Sequence, residues 1–126
     1  MAKILIVDDD PDIVEASSLF LQKAGHTVTG AYSRREGMDA IAASAPDLLI
    51  LDVMMEQPDD GFAMAQDLRR QGRNFPILML TSVASASGLA FGKDPEMVPV
   101  DDFQAKPVEP AELVRKVANL LKRREV

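Results

Sequence analysis

A chain of 126 residues, 47% hydrophobic and 27% charged, is long enough to bury roughly two-thirds of its unfolded surface in one core, and residues 1–126 are expected to form a single domain. A net charge of −6 excludes the broad basic surface that nucleic-acid phosphates require, and no apolar stretch approaches the roughly 18 residues of a membrane span. Zero cysteines exclude disulfides and thiolate chemistry, and Met1-Ala2-Lys3 leads into a strand with no signal-peptide pattern, so a cytoplasmic location is expected.

Strand and helix periods alternate along the chain. Ile4 to Val7 is an aliphatic strand, after which Asp10 caps a helix that starts at Pro11, carries Ile13, Val14, Ser17, Phe20, Leu21 and Ala24 at helical spacing, and stops at Gly25. Thr27-Val28-Thr29 is a short β-branched strand, and Ser33 with Glu36 has the spacing of a capping box opening a helix through Met38 and Ile41. Leu48 to Leu51 is the third strand and ends at Asp52. Gly61 introduces a helix with Phe62, Ala65 and Leu68 that ends at Gly72, and Ile77 to Leu80 forms a fourth strand finishing at Thr81.

Residues 82–101 break the rhythm. Gly88, Gly92, Pro95 and Pro99 leave room for no more than a short helical turn near Val83 to Ala90, with irregular chain from Phe91 to Val100. Phe103-Gln104-Ala105 is the last strand, ending at Lys106-Pro107, and Pro110 opens a final helix with Leu113, Val117, Leu120 and Leu121 on one face. Strands 1, 3 and 4 are apolar without alternation, as in a parallel sheet covered on both faces. The expected fold is therefore α/β: five βα units, a five-stranded parallel doubly wound sheet, and a shortened or irregular fourth helix.

Sites in such sheets lie outside the carboxyl ends of the strands. Here those ends carry Asp8 and Asp9 after the first strand, Asp52 after the third, Thr81 after the fourth and Lys106 after the fifth. In that order along a (βα)5 chain, these residues make residues 3–124 resemble the receiver domain of two-component response regulators. The resemblance implies the flavodoxin-like strand order 2-1-3-4-5. Three close carboxylates repel by about 4 kcal/mol per pair at an effective dielectric near 20, a conflict that a divalent cation resolves. Hard oxygen ligands with room for water and phosphate suit Mg²⁺, and Mn²⁺ can substitute. Asp52 can then act as a carboxylate nucleophile that becomes an acyl phosphate, with Lys106 pairing with the phosphoryl oxygens and Thr81 donating its hydroxyl to another of them.

The resemblance further implies that Asp9 ligates the metal directly, Asp8 through water, and that Asp52 and the backbone carbonyl of Met54 complete the protein ligands. It implies that Phe103 is a switch aromatic that turns inward as Thr81 moves toward the phosphoryl group. A sensor histidine kinase or phosphotransfer protein would be the donor, and a downstream protein or output domain would read the switched face. The chain would be a switch that promotes its own phosphorylation and dephosphorylation, not a turnover enzyme on a metabolite, and would itself bind neither nucleic acid nor membrane.

Departures from the family pattern cluster around the acceptor. Glu56 follows Met55 where receivers favour proline, Gly61 comes nine residues after Asp52 so that the loop is one residue longer, and Ser82 stands where receivers favour Ala or Gly. Met54 and Val83 offer no side-chain hydrogen bond to a hydrolytic water, so slow self-dephosphorylation is expected. Asp10 reads as a helix cap only, His26 as an exposed residue with no phosphorelay role, and the small basic groups Arg34-Arg35, Arg69-Arg70-Arg73 and Lys122-Arg123-Arg124 as solvated helix faces or dipole-favoured helix ends. The alternative is a haloacid-dehalogenase-like phosphohydrolase with Asp8 as nucleophile and Asp10 as general acid, but that family has Gly-Thr where this chain has Pro11-Asp12. A flavodoxin-like FMN binder would want Ser, Thr and Gly after the first strand rather than three aspartates, and a phosphorylation-independent receiver would not need all five positions filled.

Overall fold

The computed structural model describes residues 2–53, 55, 60–82, 100–106 and 108–125. Five strands, β1 (Lys3–Val7), β2 (Thr27–Ala31), β3 (Leu48–Asp52), β4 (Ile77–Ser82) and β5 (Asp102–Lys106), pair in parallel in the order β2-β1-β3-β4-β5. Four helices are seen among the described residues: α1 (Pro11–Lys23), α2 (Arg34–Ala43), α3 (Asp60–Arg70) and α4 (Pro110–Glu125). This is the doubly wound order expected from the sequence. The expected helical turn at Val83 to Ala90 and the irregular chain beyond it lie outside the described residues up to Pro99.

The unbroken aliphatic runs divide by parity. Ile4, Ile6, Leu48, Ile50, Leu78 and Leu80 pack with Val14 and Leu21 of α1 and with Leu113, Val117 and Leu120 of α4. Leu5, Val7, Leu49, Leu51, Ile77 and Met79 point the other way, to Ile41 of α2 and Met64, Ala65 and Leu68 of α3. Successive strand side chains face opposite sides, so a strand covered twice has no position that tolerates a polar residue until it leaves the core. Each fully buried Leu or Ile contributes roughly 1.5–3 kcal/mol, and the three central strands therefore fix the register of everything attached to their ends.

Helix ends follow local chemistry. The Asp10 carboxylate accepts from the Asp12 N–H at 3.0 Å to cap α1, Pro11 fills the first helical position, and Gly25 takes φ +99° just beyond the C-cap Ala24. Ala24 is exposed rather than part of the apolar face, because the helix has already ended. Ser33 Oγ accepts from Glu36 N–H at 3.1 Å, while the Glu36 carboxylate reaches the N–H of Tyr32, so the box closes one residue upstream of its usual partner. Glu109, not singled out in the sequence, caps α4 by accepting from the N–H groups of Ala111 and Glu112. His26 is half-buried rather than exposed, and its Nδ1 accepts from the Ala2 N–H at 3.2 Å.

Candidate functional site

Register places the polar strand ends side by side. Val7 pairs with Leu51, Asp52 with Leu80, Thr81 with Ala105 and Ser82 with Lys106, so the residues one step past the buried core of β1, β3, β4 and β5 meet at one edge. One carboxylate oxygen from each of Asp8, Asp9 and Asp52 lies within 4.8 Å of the others. Asp8 is fully buried and Asp52 is 4% exposed, whereas Asp9 is open to solvent. Buried carboxylates side by side are costly unless a cation answers them.

Lys106 supplies part of that answer. Its Nζ donates a hydrogen bond to Asp52 Oδ1 at 3.1 Å and lies 3.1 Å from Asp8 Oδ2. Asp8 Oδ1 accepts from the Asp10 N–H at 2.9 Å, the short-range turn that an aspartate favours two residues back from a helix start. Asp8 Oδ2 is buried and has no hydrogen bond of good geometry among the described residues, the Lys106 contact being an ion pair without alignment. Burial first, and the neighbouring Asp8 charge second, push the Asp52 pKa up to about 6 against the pull of Lys106. Burial works against the Lys106 ammonium as well, but the hydrogen bond and charge of Asp52, with the charge of Asp8, outweigh it and raise the Lys106 pKa.

Thr81 is buried at the end of β4, one residue beyond the partner of Asp52. Phe103 pairs with Met79 and sits half-buried against the α2/α3 side of the core. Met54, Glu56 and Val83, expected respectively as a carbonyl ligand, an additional carboxylate and a flank of the water path, lie outside the described residues, as does the side chain of Ser82.

Gly61 has a role that the sequence reading gave only to the start of a helix. Its N–H donates to the Val53 carbonyl at 2.8 Å, and a Cβ built on it would lie 2.8 Å from the Asp52 carbonyl carbon and from Val53 Cα, and closer still to the Asp52 oxygen. The first turn of α3 is thus laid directly on the peptide that follows Asp52, which only a residue without a side chain permits. The signal was present as a glycine shortly after a strand-end aspartate, but nothing in the sequence says which backbone it meets.

Residues 4–118 match the family model of the response regulator receiver domain, and the chain belongs to that family, the receiver domains of two-component response regulators. Over 124 residues it is 35% identical to the alkaline phosphatase synthesis transcriptional regulatory protein PhoP of Bacillus subtilis, covering 98% of this chain and 50% of that protein. It is 38% identical over 121 residues to the response regulator MprA of Mycolicibacterium vanbaalenii, covering 96% of this chain and 51% of that one. The chain therefore spans about half the length of the curated relatives it matches. Among solved structures it superposes on the receiver domain of the Francisella response regulator 1452 with TM-score 0.85 at 28% identity, covering 98% of both chains. It superposes on the chemotaxis response regulator CheY4 of Vibrio cholerae with TM-score 0.83 at 33% identity, covering 95% of this chain and 98% of that one. The phosphohydrolase alternative is not supported: the family matched is another, and the Asp10 carboxylate it needs as an acid is engaged in capping α1.

Proposed function

We propose that Asp52 is the phosphoryl acceptor of this receiver domain, with Asp8, Asp9 and Asp52 holding Mg²⁺ or Mn²⁺, Lys106 and Thr81 contacting the phosphoryl oxygens, and Phe103 reporting the change to a partner-binding face. The single observation that carries this reading is the meeting of three carboxylates and one ammonium at the carboxyl edge of the sheet, with Lys106 3.1 Å from both buried aspartates. The residues fit a hard divalent cation: all donors are oxygens, and Asp8 Oδ2 is a buried acceptor lacking a well-aligned donor among the described residues. When bound, such a cation neutralises negative charge between the carboxylates and an incoming phosphoryl group.

In the transfer itself, an Asp52 carboxylate oxygen forms a bond to phosphorus as the bond from phosphorus to the donor nitrogen breaks, and the departing imidazole takes up a proton. Asp52 must be ionised to do this, so its elevated pKa makes the free acceptor a weaker nucleophile below about pH 6. Lys106 offsets the charge on Asp52 before transfer and can follow the phosphoryl oxygens after it, keeping its partner within reach throughout. The Thr81 hydroxyl, buried at the adjacent strand end, is the donor that would move toward the phosphoryl oxygens.

The donor is a sensor histidine kinase or a phosphotransfer protein, and the reader is a protein partner or an output domain. The Synechocystis relative RpaA, 37% identical over 125 residues, is described as a DNA-binding dual master transcriptional regulator, which suggests transcription as the process ultimately switched. No helix among the described residues is long and apolar enough to cross a membrane, and a cytoplasmic site of action accords with the family. Incubation with acetyl phosphate and Mg²⁺, followed by intact-protein mass spectrometry, is expected to add one phosphoryl mass to the wild type and none to Asp52→Asn. Equal addition to both would refute the assignment.

A further inference from the structure

Outside the acidic edge, the strongest constellation joins the first turn of α2 to α3. Arg34, the first residue of α2, places Nη1 3.8 Å from Asp60 Oδ1 and Nη2 in contact with Asp67 Oδ2, while Arg70 holds the other Asp67 oxygen. Asp60 is the first residue of α3 and is buried at 9% exposure, and it immediately precedes Gly61. Gly61 in turn is bonded to the Val53 carbonyl and packed on the Asp52 peptide. A continuous chain of contacts thus runs from a guanidinium on α2, through the α3 N-terminus, to the backbone that carries Asp52.

We propose that Arg34 is a positioning residue for the acceptor: by fixing Asp60 it seats the first turn of α3 against β3 and so sets where the Asp52 carboxylate points. The inference rests on Asp52 being the acceptor. Two features favour positioning over a plain strut between helices. Arg34 divides its guanidinium between two carboxylates, and the one at the α3 N-terminus is the more buried. The Gly61 contact leaves no slack, since a shift of the α3 N-terminus displaces the Asp52–Val53 peptide or breaks the 2.8 Å bond. Misplacement of a reacting group by about an ångström can cost on the order of a hundredfold in rate, so a partial release should be readily seen.

The test compares Arg34→Gln, Arg34→Lys and Asp67→Asn in the full chain, with acetyl phosphate and Mg²⁺ as probe and the Gly61 amide and Asp52 carboxyl resonances as structural readouts. Arg34→Gln should slow phosphorylation about five- to tenfold and shift both resonances, and Arg34→Lys should restore part of the rate by keeping one charge near Asp60. Asp67→Asn removes the charge from the helix–helix half of the contact but leaves Arg34 able to hold Asp60, so it should stay within about twofold of wild type. A rate for Arg34→Gln within about twofold of wild type, or an equal slowing in Asp67→Asn, would overturn the proposal. Should the wild type take up no phosphoryl group, the acceptor assignment fails by itself. The resonances then decide the Arg34 link: unmoved in Arg34→Gln they refute it, and moved there but not in Asp67→Asn they sustain it.

Discussion

Replacing Asp52 with asparagine should stabilise the metal-free protein at neutral pH. The Asp52 carboxyl titrates near 3.8 when exposed and at about 6 in the fold, because burial and the Asp8 charge disfavour its ionised form more than Lys106 favours it. The folded state therefore holds this proton more tightly than the unfolded chain, and the folding stability falls as pH rises from about 4 through about 6. Two pKa units and a fraction correspond to about 3 kcal/mol at about pH 7, falling to about 1 kcal/mol near pH 4.5. Asparagine keeps the shape and an acceptor for Lys106 without the charge, so Asp52→Asn should gain most of that 3 kcal/mol, or about 10 °C in Tm. Urea denaturation followed by circular dichroism in EDTA, at about pH 7 and pH 4.5, measures the difference. A mutant no more stable than wild type at the higher pH, or a gain that does not shrink at the lower one, would refute the electrostatic account of the site.

Mg²⁺ at about a hundredfold above its Kd should raise wild-type stability by about 2.7 kcal/mol, and Asp8→Asn or Asp9→Asn should abolish most of that increment in the same denaturation assay. Lys106→Met removes the ammonium that lies 3.1 Å from both buried carboxylates, so the Asp52 pKa should rise further above 6, which carbon-13 NMR of the carboxyl would follow. Gly61→Ala forces a methyl into the Asp52–Val53 peptide and should cost about 2–4 kcal/mol while slowing phosphorylation more than tenfold, against unchanged values if α3 simply moves aside. Asp101→Ala leaves the Ile77 N–H without its 2.8 Å acceptor and takes the carboxylate from Arg69 Nη2, while Arg69 Nη1 still donates to the Arg73 and Phe75 carbonyls, and it should lower stability by about 1–3 kcal/mol with little effect on phosphorylation rate.

The fold was largely legible because its strands are buried on both faces. Runs such as Leu48-Leu49-Ile50-Leu51 and Ile77-Leu78-Met79-Leu80 carry no alternation, and their polar ends mark where the core stops. The clustering of Asp8, Asp9, Asp52 and Lys106 was legible for the same reason, since register brings three strand ends to one edge. Lys106 was expected to meet phosphoryl oxygens, but its place between Asp8 and Asp52 depends on side-chain reach, which spacing does not encode. In sequence Gly61 shows only a helix start and Arg34 only a basic helix face, because the partners that give them meaning, Val53 and Asp60, come from other elements. Edge strand β2 extends to Ala31 although the β-branched signal ends at Thr29, since pairing with β1 as far as Val7 continues the ladder through Gly30.

The claim that Asp52 receives the phosphoryl group is tested most directly by trapping the adduct. Phosphorylated protein reduced with borohydride converts an acyl phosphate to an alcohol, so tandem mass spectrometry of the digest should find homoserine at position 52 in Mg²⁺ and none in EDTA. Homoserine at position 8 or 9, or an intact phosphate ester on Thr81 with position 52 unchanged, would contradict it.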